Sequence, residues 1–356
     1  MGNPNMLTPY RLGALTLPNR FVMSPMTRAR TTDPGRVPIA IEAEYYVQRA
    51  SAGLSVTGGT FISPMAVGGI NIAGIYTDAQ VEGWRKVSHA VHKAGGRIFL
   101  QIVHSASVTH PSLLGGETPV APSAVNPNQK VITTDGLVDT ILPRALTIDE
   151  IHSIVEDFGK ATANAKKAGF DGVELHGGNI FLVPQFLNTV TNRRMDEYGG
   201  TPEKRARAVI EIITAMGKAW ENDRVGVKLS PEISGAGGYS ATDHVIAWLN
   251  DFKPAYLHLR RGFDANDKPV ELMREHTFDH FRDMFKGTLI GNGGFDLVTA
   301  NQHVERGDVD LVSFAKYYVA NPDLVARFEL DQPLARPDRA TYYTSGPKGY
   351  TDYPSL

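Results

Sequence analysis

The sequence predicts an α/β protein built as one (β/α)8 TIM barrel, and three observations lead there. Eight short apolar runs alternate with amphipathic segments of helical length. No Pro/Gly/Ser-rich linker or break in composition divides the 356 residues. The longest irregular stretch, 105–144, falls between the third run and its helix, where a long loop inside a compact domain reads as a capping segment with structure of its own. The chain is therefore read as a single domain, 1–356, with 105–144 as a cap or lid insertion that roofs the pocket.

In chain order, the first strand is expected at 20–24, and the unit after it departs from the pattern because 29–48 is partly loop. Strand two at 54–57 is followed by a helix at 78–94, and strand three at 98–103 by the cap and a helix at 148–168. Strand four at 172–175 leads to a helix at 202–220, and strand five at 225–229 to one at 242–251. Strands six, seven and eight at 256–259, 288–291 and 311–314 precede helices at 278–284, 296–305 and 322–328. Two helix starts carry capping signals. Thr147 stands three residues before Glu150, and Thr201 is followed by Pro202 in the first helical position and then by Glu203. The tail from Tyr342 to Tyr353 is turn-rich and aromatic, a composition suited to wrapping over a barrel mouth.

Composition excludes several functions. With 36 basic and 38 acidic residues the net charge is -2, so no global field attracts nucleic acid or an anionic membrane. The absence of cysteine rules out disulfides, thiolate zinc sites, iron–sulfur clusters and a cysteine nucleophile, and suits a reducing compartment. No apolar run reaches the roughly 20 residues that span a bilayer, and Met1-Gly-Asn-Pro-Asn5 lacks a signal-peptide pattern. The expectation is a cytoplasmic protein, monomer or homodimer. No metal site is read either: His89 and His92 suit a helix surface, and nothing in the sequence places His104 and His110 together.

Chemistry concentrates where strands end. Asp171-Gly-Val-Glu-Leu-His176-Gly-Gly-Asn179 is a short apolar run that stops in a histidine and an amide three residues apart. In a barrel that edge is where ligands bind, and both side chains can donate an N–H to one carbonyl or nitro oxygen. Spacing alone leaves open a purely structural pair of hydrogen bonds. A second group lies on later strands: Lys228 ends strand five, Gly291-Asn-Gly293-Gly294 ends strand seven, and Ala315-Lys316 ends strand eight. Glycine N–H groups beside a cation after strands seven and eight form a habitual phosphate site, which points to a phosphorylated cofactor such as FMN. A plain tight turn with a solvated Lys316 is the alternative.

At this point longer stretches can be matched. Pro18-Asn-Arg-Phe-Val-Met-Ser-Pro-Met-Thr27-Arg28, Tyr45-Tyr-Val-Gln-Arg-Ala-Ser-Ala-Gly53, Gly95-Gly-Arg-Ile-Phe-Leu-Gln101 and Ala320-Asn-Pro-Asp-Leu324 resemble the old yellow enzyme family of FMN-dependent ene-reductases. The resemblance covers essentially the whole chain, and Thr27 stands where one subgroup carries cysteine. It implies FMN held by Pro25, Met26 and Thr27, by Gly59, by Gln101 on its pyrimidine side, and by Lys228, Gly293, Gly294, Ala315 and Lys316. It implies His176 and Asn179 as ligands of the substrate's activating oxygen. It further implies that NADPH or NADH reduces the flavin, whose N5 then delivers hydride to the β-carbon of an electron-poor alkene. Phenolic ligands would bind in the same place.

Departures from the family pattern cluster at this pocket. Phe181 stands where the family has a tyrosine that protonates the α-carbon, Val103 replaces a tryptophan, Ser107 an arginine and Gly58 a glutamate. Lys228 and Lys316 replace arginines, keeping charge but losing the planar fork. Tyr343 matches a family tyrosine that reaches the pocket and is the best remaining internal acid, with Tyr76 a distant second and a water an equal alternative if the smaller Val103 leaves room. Two other outcomes stay open: a flavin-dependent double-bond isomerase, and a catalytically degenerate protein that binds flavin and phenols.

Overall fold

The computed structural model describes residues 5–230, 238–261 and 277–356. Eight parallel strands close on themselves: β1 (Phe21–Met23), β2 (Leu54–Val56), β3 (Ile98–Val103), β4 (Gly172–Gly177), β5 (Val225–Leu229), β6 (Tyr256–Arg260), β7 (Leu289–Asn292) and β8 (Leu311–Phe314). Each pairs with its neighbour in chain order, and β8 pairs back with β1 at Val312 opposite Phe21. This is the (β/α)8 barrel the alternating pattern predicts.

Strand residues alternate between two environments, because successive side chains point to opposite faces. One set, including Phe21, Leu100, Ile102, Val173, Leu175, Val227, Leu257 and Phe314, packs outward under the helices. The other forms a separate cluster inside the barrel: Val22, Leu54, Val56, Phe99, Tyr256, Ile290 and Leu311, joined by Leu12 and Leu17. Those two leucines belong to an N-terminal hairpin, Tyr10–Leu12 with Leu15–Leu17, turned at Gly13 with φ +55°. The hairpin is absent from the sequence reading, because three-residue strands show no measurable period.

The helices are amphipathic at the expected spacing. In the helix that follows β3 (Ile148–Lys167), Ile151, Ile154, Phe158, Ala161 and Ala165 are buried, and Thr147 and Glu150 form the reciprocal cap. Burying each of its large apolar side chains contributes about 1.5–3 kcal/mol, so the barrel wall rather than intrinsic propensity holds this helix. The unit after β1, read as partly loop, contains a short helix, Ala40–Val47.

The connection from β3 to the Ile148–Lys167 helix has structure of its own: a parallel pair between Val120–Ala121 and Arg144–Ala145, and a hairpin of Lys130–Thr133 with Gly136–Asp139. The C-terminal segment is tied down by buried arginines. Arg30 donates to the carbonyls of Thr341, Gly346 and Lys348, Arg28 to those of Tyr342 and Gly349, and Arg49 to that of Tyr350.

Candidate active site

Strand ends from around the barrel converge on a cavity of about 400 Å3. Pro25, Met26, Thr27 and Arg28 follow β1, Gly59 and Phe61 follow β2, and Gln101, Val103 and Ser105 come from β3 and its end. His176 lies at the end of β4 and Asn179 and Phe181 follow it, Ala315, Lys316 and Val319 follow β8, and Tyr342 and Tyr343 come from the tethered C-terminal segment. Among the described residues no carboxylate lines this cavity, and Arg28 and Lys316 supply its formal charge. Of segment 105–144, Ser105 is the described residue that lines it, whereas the tail contributes two tyrosines.

Hydrogen bonds decide what His176 and Asn179 can offer. The Gly178 backbone N–H donates to His176 Nδ1 at 3.2 Å, so Nδ1 is the unprotonated nitrogen and Nε2 carries the hydrogen. Burial, reinforced by the Lys228 charge, pushes this imidazole down to about 3, which keeps it neutral at physiological pH. Arg260 donates to Asn179 Oδ1 at 3.1 Å. A guanidinium has no acceptor, so the Asn179 amide must turn its oxygen to Arg260 and its NH2 elsewhere. Asn179 adopts φ +58°, a left-handed conformation that asparagine tolerates better than most residues. Beside them the Phe181 ring meets His176 edge-on, with centroids 5.1 Å apart.

A layer of polar side chains lies in the barrel between the cavity and the apolar interior cluster. Glu174 is opposite Gln101 in the β4–β3 register, and Lys228 is opposite both His176 and His258. Gln101 Nε2 donates to Glu174 Oε1 at 2.7 Å, His258 Nδ1 lies 2.8 Å from Glu174 Oε2, and His258 Nε2 lies 2.7 Å from Ser313 Oγ. Burial alone would raise the Glu174 carboxyl, but the contacts with His258, Lys228 and Gln101 outweigh it and hold the group ionised. Burial, with Lys228 adding to it, pushes His258 down to about 4, so it is neutral with its proton on Nδ1 facing the carboxylate. Burial pushes Lys228 down to about 8, with Glu174 opposing. Its Nζ lies 3.4 Å from Ser24 Oγ.

These residues suit FMN. On the cavity, Gln101 can meet a pyrimidine edge and Lys316 a phosphate, and Gly59 leaves space for a flat ring. A Cβ on Gly59 would stand 3.3 Å from Val103 Cγ1, 3.6 Å from Gln101 Oε1 and 3.7 Å from His176 Cδ2, filling the surface on which a ring could lie. The structure gathers eleven of the residues expected from sequence around the cavity: Pro25, Met26, Thr27, Gly59, Gln101, His176, Asn179, Phe181, Ala315, Lys316 and Tyr343. Lys228, Gly293 and Gly294 do not line it. Lys228 is buried in the polar layer, and the two glycines turn the chain after β7 with φ +117° and +71°, where Arg261 donates to the Gly293 carbonyl. Neighbours that the sequence did not assign to the site include Phe61, Val319 and Tyr342 on the cavity and Glu174, His258 and Arg260 beside it. Glu174 lies within the quoted motif, but nothing local shows that it faces inward toward Gln101.

The comparisons agree with this geometry. Residues 5–335 match the model of the NADH:flavin oxidoreductase / NADH oxidase family. The chain is 40% identical over 363 residues to 12-oxophytodienoate reductase 1 of Oryza sativa subsp. japonica, covering 99% of this chain and 93% of that one. It is 38% identical over 378 residues to flavin oxidoreductase hxnT of Emericella nidulans, covering 98% and 97%. Among solved structures, morphinone reductase superposes with a TM-score of 0.94 at 42% identity over 100% of this chain and 97% of that one. An old yellow enzyme homologue from Zymomonas mobilis gives 0.94 at 38% identity over 99% and 100%. Morphinone reductase is also known in complex with tetrahydroNAD. The chain belongs to the NADH:flavin oxidoreductase / NADH oxidase family, as an FMN-dependent, NAD(P)H-linked ene-reductase of the old yellow enzyme type.

Proposed function

We propose that the cavity binds an electron-poor alkene, an α,β-unsaturated carbonyl or nitro compound, through two hydrogen bonds to its activating oxygen from His176 Nε2–H and the Asn179 amide. The observation that supports this most is that both side chains have their acceptor atoms already engaged, His176 Nδ1 by Gly178 and Asn179 Oδ1 by Arg260. Each is left with a donor to offer. FMN, when bound, supplies the hydride, taken from NADH or NADPH and passed to the alkene β-carbon. As that carbon gains hydride, negative charge moves to the activating oxygen, where prearranged donors stabilise it more than they stabilise the neutral substrate.

The α-carbon then needs a proton, and Phe181 has none to give. Among the described residues, the tyrosine hydroxyls on the cavity belong to Tyr342 and Tyr343, while Tyr76 does not line it. We assign the proton to Tyr343 or to water rather than to the position 181 side chain. Positioned general acids contribute roughly 10²–10⁴-fold, so enones should be reduced slowly. Nitroalkenes should fare better, because hydride addition leaves a stabilised nitronate that can wait for solvent.

Stopped-flow reoxidation of the NADPH-reduced holoprotein tests this, with cyclohexenone and 1-nitrocyclohexene as oxidants. The parent should prefer the nitroalkene, and Phe181→Tyr should accelerate the cyclohexenone reaction while leaving reduction by NADPH unchanged. Rapid parent turnover of cyclohexenone that only Tyr343→Phe slows would mean an efficient donor has simply moved to Tyr343. A yellow protein that NADPH does not bleach would instead be a binding protein.

A further inference from the structure

Gln101 presents one face to the cavity and the other to a buried carboxylate. An ionised carboxylate can only accept hydrogen bonds, so the amide nitrogen must point at Glu174 and the carbonyl Oε1 must point away. The coordinates agree: Nε2 is 2.7 Å from Glu174 Oε1, and Oε1 is the Gln101 atom nearest the Gly59 surface of the cavity. Glu174 is itself held by donors from both sides, because His258 Nδ1 lies 2.8 Å from its second oxygen and Ser313 Oγ closes the chain at His258 Nε2. Glu174 and His258 are fully buried, so no solvent competes for these bonds.

The other polar group at this level is Lys228, which can only donate. With Gln101 held as observed, the layer offers one acceptor and one donor. A flavin pyrimidine ring carries one N–H donor, at N3, between carbonyl acceptors. Were the Gln101 amide reversed, Lys228 and the amide NH2 would both be donors, and N3–H would face a group unable to accept it.

We propose that Glu174 is a positioning residue for the cofactor: its carboxylate dictates that Gln101 turns its carbonyl oxygen, rather than its NH2, toward N3–H of the FMN ring. This rests on the reading that Gln101 contacts the flavin, and the test separates the two.

FMN dissociation constants would be measured by flavin fluorescence on reconstituted apoprotein for the parent, Gln101→Leu, Glu174→Gln, the double variant and Ser313→Ala. Glutamine at 174 keeps the shape and can face Gln101 with either end of its amide, so Gln101 loses its instruction. Glu174→Gln and Gln101→Leu should each weaken FMN roughly three- to tenfold, the range of one hydrogen bond. The double variant should bind no worse than Gln101→Leu, because Glu174 acts through that amide. Ser313→Ala, at the far end of the chain, should bind like the parent.

Gln101→Leu without effect would remove Gln101 from the flavin and with it the underlying reading. Gln101→Leu with effect but Glu174→Gln without, multiplying losses in the double variant, or an equal loss in Ser313→Ala would each overturn the proposal alone. If Glu174→Gln does not fold, 15N-labelled FMN in the parent decides: N3–H should be protected from solvent exchange, and protection should vanish in Gln101→Leu. Free exchange in the parent rejects the proposal.

Discussion

The Gly178 amide that donates to His176 Nδ1 leaves Nε2–H as the working donor, and the His176→Ala variant measures its worth. Binding of 4-nitrophenol should weaken, and alkene turnover should fall roughly a hundredfold, the loss typical of one oxyanion donor. Because the imidazole is pushed down to about 3, its donor should persist from pH 8 to pH 5; titrations of the variant that overlay the parent would place the substrate elsewhere. Lys316 lies at the cavity edge after β8, and we propose it as the charge that meets the cofactor phosphate. Lys316→Met should weaken FMN by roughly 1.5–3 kcal/mol, the range for a hydrogen bond to a charged group. Equal affinity by fluorescence titration would move the phosphate to other residues.

Between elements, the tail that carries Tyr342 and Tyr343 depends on Arg28, Arg30 and Arg49, which donate there to carbonyl oxygens and, from Arg30, to the Thr344 hydroxyl as well. Arg30 follows β1, is 2% exposed, and serves Thr341, Gly346 and Lys348 together. Arg30→Met would leave those carbonyls without their donor. The expected result is a stability loss of roughly 1.5–3 kcal/mol, together with rapid proteolysis between 335 and 350 and weaker substrate binding. Unchanged resistance of that stretch to protease would show that packing alone holds it. Sequence composition indicated that the tail wraps the mouth, but not what ties it there. Likewise the plug hairpin at Tyr10–Leu17 left no periodic signal, since its strands are three residues each.

Across the whole molecule, the buried polar layer makes stability depend on acid. Burial pushes His104 and His258 down to about 4 and His176 to about 3, with Lys228 adding to the effect on the last two. Unfolded histidines bind a proton near 6.5, so below that pH the unfolded chain gains protons that the folded one refuses. Glu42 opposes this: burial raises it to about 7, so the folded state keeps a proton that the unfolded chain sheds above its ordinary value of 4.5. Three histidines against one glutamate leave a net uptake on unfolding between pH 5 and 6.5, and stability must rise with pH through that window. Urea midpoints of the apoprotein at pH 5, 6 and 7 should therefore increase, and a flat or falling series would contradict neutral burial of these groups. By itself the sequence determined the barrel and the strand ends where His176, Asn179 and Phe181 emerge, because apolar alternation and caps are written within a few residues. It could not determine which nitrogen of His258 or which end of the Gln101 and Asn179 amides faces its partner. Each such group can donate and accept, and the choice belongs to a neighbour far away in the chain: Glu174 is 73 residues from Gln101, and Arg260 is 81 from Asn179. Only closing the barrel brings those neighbours within hydrogen-bond reach.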